Sequence, residues 1–243
     1  PSFDVDGIDA AHKLAILAAI GFGSFPRFEQ IHIEGIRHVS DVDIAWANEM
    51  GYRIKLLGIA KQDAEGVELR VQPTLVPVSS MVASVEGVYN AVFVRGDAAG
   101  TTMHYGRGAG ERPTASAVVA DLVDIARNGQ VGTGQRVAAF STLSEHLTTH
   151  PVREMAEWRG EYYLRLAVAD RPGVLAEVTA VLARQLISID AIHQRGRSNV
   201  VAVPLIMVTH ETTERQVRIA LAEMEQLDCG RETPRFIRIE RGV

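Results

Sequence analysis

The chain has 243 residues, 47% hydrophobic and 23% charged, with a net charge of −5. Such a balance suits a globular protein of one large or two ordinary domains and argues against nucleic acid or an anionic membrane as partner. No apolar run reaches the ~18 residues of a bilayer span, and the single cysteine, Cys229, excludes a disulfide framework and a cysteine metal site. A reducing, cytoplasmic setting is the expectation. The chain opens on proline with no signal-peptide pattern, which suggests a start partway into a longer protein.

In chain order, Gly7 breaks an entry segment carrying Asp4 and Asp6, and a helix runs from about Ile8 to Ile20, ended by Gly21-Phe22-Gly23-Ser24. Its body, Leu14 to Ile20, is apolar on every face, the mark of a buried helix. Its first turn nevertheless holds Asp9 and Lys13, four residues apart on one face. Ser40 with Asp43 forms a capping box for a helix from Asp41 to Met50. Residues 52–62 and 67–76 alternate as two hairpin strands, and 89–96 and 101–106 as two more. A helix then runs through PTASAVVADLVDIARNG, with Val118, Leu122, Ile125 and Ala126 on one face. Residues 1–135 therefore read as an α+β domain: a mostly antiparallel sheet of four strands with helices on one face. The second sheet face needs cover, and a homodimer or larger homo-oligomer is the simplest closure.

Residues 136–160 read as a linker, with Val137 to Leu147 apolar enough to dock. From residue 161 a new pattern begins. Strands at 162–170, 187–196, 199–210 and near the C-terminus alternate with a helix after Pro172-Gly173 and another opened by a Thr213/Gln216 capping box. The order βαββαβ over 161–243 is that of a ferredoxin-like sandwich.

Three stretches carry chemistry, each with a plainer alternative. Asp9/Lys13 is either a surface i,i+4 ion pair or, on a buried helix, a lysine of tunable pKa able to pass a proton to a carbonyl oxygen. Gly106-Arg107-Gly108-Ala109-Gly110 is either a glycine-rich turn or a loop whose backbone approaches a ligand closely; it is not a dinucleotide fingerprint. Asp170-Arg171-Pro172-Gly173-Val174-Leu175 is either a tight turn into a helix or a carboxylate-binding helix N-terminus. The histidines have no metal-ligand spacing, so no metal site is expected.

DVDGIDAAHKLAILAAIGFG, GRGAGERPTASAVVADLVDIAR and YYLRLAVADRPGVLAEVTAVLARQLISIDAIHQ together resemble homoserine dehydrogenases, the last of them through an ACT domain. The resemblance spans nearly the whole chain. It implies NADPH- or NADH-dependent reduction of aspartate 4-semialdehyde to L-homoserine. It implies Lys13 as the proton donor and acceptor, Asp9 and Asp4 as substrate contacts, and Gly110 and Gly108 as contacts with an NADP or NAD cofactor. It also implies an amino-acid effector, L-threonine first, at Asp170, Gly173, Val174, Leu175 and Gln194. The family's nucleotide-binding Rossmann domain has no counterpart in this sequence, so the fragment alone is expected to be inactive. A stand-alone amino-acid sensor is the alternative.

Overall fold

The computed structural model describes residues 2–132, 140–195 and 202–243. An eight-stranded sheet runs through both halves. In the first half, α1 (Ser2–Val5) and α2 (Ile8–Phe22) lead to β1 (His32–Ile33), α3 (Asp41–Glu49), β2 (Tyr52–Asp63) and β3 (Gly66–Pro77). Then come β4 (Tyr89–Gly96), β5 (Gly100–Arg107) and α4 (Glu111–Gln130). The second half contains β6 (Arg159–Val168), α5 (Val174–Arg184), β7 (Ile189–Gln194), β8 (Val203–Thr209), a short β9 (Thr212–Thr213), α6 (Glu214–Glu225) and β10 (Arg235–Ile239).

Both capping boxes form: Ser40 with Asp43 opens α3, and Thr213 with Gln216 opens α6. β2 and β3 make the long expected antiparallel hairpin. The other edge of β3 is shared by β1 and then β10, both parallel to it. β10 continues antiparallel into β6, β8 and β7, so the second-half sheet is welded to the first. Thr74 opposite Arg238 and Leu75 opposite Ile239 mark the seam.

Alternation along the strands divides the core. On one face, α2 packs Ala11, Leu14 and Ala18 on Val67, Leu69 and Val71, while α3 packs Trp46 and Ala47 on Leu75, Tyr163, Ile237 and Ile239. On the other, α5 and α6 cover Tyr162, Leu164, Leu166, Leu205 and Met207. Glu68, Arg70, Gln72 and Thr74 alternate with the apolar residues of β3 and are also buried.

Three expectations need correction. The first-half strands do not form one four-stranded sheet: β4 and β5 make a separate two-stranded ribbon, because β2 and β3 take their partners elsewhere. With α4 this ribbon forms an arm. Its helix buries none of its residues, so Val118, Leu122 and Ile125 face outward. Nor is α2 buried all round: Ile16, Leu17 and Ile20 are exposed, since only the face toward β2 and β3 is covered.

The segment before β6 docks, as expected. Phe140 packs edge-on against Phe25, Thr148 bridges to Ser24 and Val152 to Val67. Val137 and the start of the strand expected at 199–210 lie outside the described residues.

Candidate active site at the start of helix α2

Gly7 seats the helix. It is buried at the N-cap with φ +81°, a conformation that favours glycine, and a Cβ there would lie 3.1 Å from the Val71 side chain. Segment 34–36 holds it from the other side. The Ile36 amide donates to Val5 O at 2.9 Å, the Glu34 amide donates to Val71 O at 2.8 Å, and a Cβ on Gly35 would collide with the backbone of Val5 and Asp6. Arg37 Nε and Nη2 donate to the two carboxylate oxygens of Asp6 at 2.5 and 3.0 Å. That fork holds the Asp6 carboxyl below its usual range.

On this base, Lys13 Nζ donates to Asp9 Oδ2 at 2.5 Å. The Lys13 side chain is 68% exposed and that of Asp9 37%, so the lysine is not buried in this chain. The apolar helix body had suggested burial, but the pair lies on the uncovered side. Its ammonium is therefore open to a ligand arriving from solvent. Asp4 is exposed in α1, one short turn upstream. His12 is stacked between Phe3 and Phe28, at 5.6 and 4.4 Å between ring centroids, and closes one flank of the helix.

The glycine loop lies on the arm. Gly110 is the N-cap of α4 with φ +118°. At Gly108 a Cβ would meet the end of the exposed Asn90 side chain, which would have to turn aside. No side chain caps the amide end of α4.

In the second half, Gly173 is the N-cap of α5 with φ +93°. Val174 turns into the core, whereas Leu175 is exposed. Arg171 Nη1 pairs with Glu177 Oε1 at 2.8 Å beside the turn that begins at Asp170. Gln194 ends β7 opposite Leu205 of β8, which lies opposite Leu166 of β6. The Asp170–Leu175 turn and Gln194 thus belong to strands about 10 Å apart across the sheet.

Sequence reasoning missed the buried charges next to the α2 platform. Arg238 donates from Nε and Nη2 to the two Glu214 oxygens at 2.6 and 2.7 Å, and from Nη1 to Glu34 Oε2 at 2.8 Å. His38 Nε2 is 3.1 Å from Glu34 Oε1. Burial pushes the Glu34 carboxyl up, but His32, His38 and Arg238 outweigh it and hold the group well below the usual carboxylate range. Arg70 stands 2.8 Å from Glu68 and 2.7 Å from Glu240, under the Trp158 ring. Burial pushes its guanidinium down despite those carboxylates. The available signal was the run Glu68, Arg70, Gln72, Thr74, which mimics a solvent face.

A helix-on-sheet unit presenting an aspartate–lysine pair is welded to a βαββαβ module, the class of a two-part α+β protein. The comparisons give the family. The homoserine dehydrogenase model matches residues 1–123 and the ACT domain model residues 162–229. A homoserine dehydrogenase of Neisseria gonorrhoeae is 42% identical over 99% of this chain and 55% of its own length. One from Pseudomonas aeruginosa is 45% identical over 94% and 53%. The crystal structure of a homoserine dehydrogenase from Thiobacillus denitrificans superposes with a TM-score of 0.89 at 48% identity, over 99% of this chain and 55% of that one. The chain belongs to the homoserine dehydrogenase family and carries an ACT domain; it spans about half the length of the curated relatives it matches. Among the described residues no helix is long and apolar enough to cross a membrane, and no group of three or more His, Cys, Asp or Glu is placed to hold a metal ion.

Proposed function

We propose that this chain supplies the substrate half of a cytoplasmic, NADP- or NAD-dependent homoserine dehydrogenase, with residues 1–135 binding substrate, 136–160 linking and 161–243 sensing an amino acid. The observation that carries the reading is the Asp9–Lys13 pair on the rigid Gly7–Gly35 platform, within the region matched by the family model. The cofactor would supply the hydride for reducing aspartate 4-semialdehyde. Lys13 donates a proton to the carbonyl oxygen of the aldehyde as hydride arrives at its carbon, and takes it back in the reverse direction. Asp9 accepts a hydrogen bond from Lys13 and so fixes where the ammonium points, and Asp9 and Asp4 would contact the substrate. Gly108 and Gly110 present the amide end of α4 to the nicotinamide side.

The exposed apolar surfaces of α4 and α2 support assembly with a cofactor domain and a second copy. In the ACT module, the distance between the Asp170–Leu175 turn and Gln194 favours threonine bound between two modules, each giving one part. The test is NADPH oxidation with aspartate 4-semialdehyde, comparing this chain with the full product of its parent message. Activity in the longer protein alone supports the reading, and no activity in either contradicts it. Calorimetry with threonine, isoleucine, methionine, lysine and serine tests the sensing module; heat with none of them leaves it a structural role.

A further inference from the structure

We propose that Arg238 is a positioning residue, tying the first turn of ACT helix α6 to the platform that seats Lys13. The inference rests on the reading of Lys13 as the proton-transfer group. Its geometry is a continuous set of contacts. Glu214, the first residue of α6, is fully buried and takes the Arg238 fork on both oxygens. Arg238 itself is 1% exposed and lies 4.8 Å from the centroid of the Phe236 ring. Its remaining terminal nitrogen holds Glu34. Glu34 begins the 34–36 segment, whose backbone is fastened to Val71 and Val5 and whose Gly35 is pressed against Val5 and Asp6. Asp6 and Gly7 in turn fix the start of α2, whose first turn holds Asp9 and whose second holds Lys13.

The chemistry makes this connection stiff. A guanidinium buried between two carboxylates has no water to replace a lost partner, so displacing Glu214 leaves Arg238 pulled toward Glu34 alone. The planar fork allows little reorientation without breaking a bond. A change at the start of α6 is therefore felt at Glu34 across the β3–β10 seam. Such a link works in both directions.

Hydrogen exchange on this chain tests it without relying on activity. In Glu214→Gln, amides of Asp6, Gly7, Ala11 and Ile36 are expected to exchange about two- to thirtyfold faster, with α5 and β8 unchanged. Changes confined to α6 and β10 overturn the proposal. Should Glu214→Gln fail to fold, Glu34→Gln probes the other end: faster exchange in the first turn of α6 supports the link, and none overturns it. In the intact enzyme, Glu214→Gln should lower kcat more than it changes KM. Movement of the exchange pattern in a protein whose wild type lacks dehydrogenase activity would uphold the link and remove the reading of Lys13.

Discussion

The seam and the arm invert the usual rule of burial. At the seam the chain buries Arg70, Arg238, Glu214 and Gln72; on the arm it exposes Val118, Leu122 and Ile125. Buried charge persists only where partners are built around it, and Arg238 has them on both sides within this chain. An apolar helix stripe needs cover as much as a charge needs a partner. The contrast teaches that the two halves are fitted to one another at the seam, whereas the apolar stripe of the arm has no cover among the described residues.

The sharpest way to break this contrast is Arg238→Met. It leaves the buried Glu214 with Arg218 as its remaining cation and the partly buried Glu34 with His32 and His38 only, at a cost of about 3–5 kcal/mol, or roughly a 10 °C fall in Tm. Arg195→Ala is the control, since Arg195 pairs with Glu49 at the surface and its loss should cost under about 1 kcal/mol. Equal, small effects in thermal melts would mean the seam is not the main join.

Acid is a second probe of the seam. The folded Glu34 carboxyl titrates below its ordinary value of 4.5. Its contribution is therefore complete above that value and is lost as pH falls through the lower folded pKa. From about pH 5 to pH 2, wild type should lose stability more steeply than Glu34→Gln in urea titrations. Parallel curves would contradict the pairing.

On the arm, Gly110→Ala forces an alanine to φ near +118° and should cost about 1–3 kcal/mol. An unchanged melt would show that the turn relaxes. Smallest of all, the double change Leu122→Ser and Ile125→Ser should move the stability of this chain by no more than about 0.5 kcal/mol per site. The same pair should weaken its assembly in light scattering. A loss as large as that of Arg238→Met would place these side chains in the chain's own core.

Local signals were legible, long-range ones were not. Ser40/Asp43 and Thr213/Gln216 act within a single turn, so sequence alone located both helix starts. The 52–62 and 67–76 strands meet through a short turn and were equally plain. The seam joins Thr74 to Arg238, far apart in the chain, and no local pattern announces a parallel pair at that separation. Glu68 and Arg70 of β3 pair with each other and with Arg153 and Glu240 on distant elements, so no local pattern marked them as buried. The stripe on α4 was expected to lie on the sheet and instead faces outward, since a stripe does not say what covers it. Asp9 and Lys13 were paired from their spacing; their exposure was not legible, because it depends on which side of α2 the sheet takes.

Lys13 carries the proposed proton transfer, and kinetics of Lys13→Ala in the intact dehydrogenase test that role. Turnover should fall about a hundredfold or more, on the scale of general acid–base catalysis, with a smaller change in the KM for aspartate 4-semialdehyde and an unchanged melting temperature. Wild-type turnover in that variant would contradict the assignment of the proton transfer to this helix.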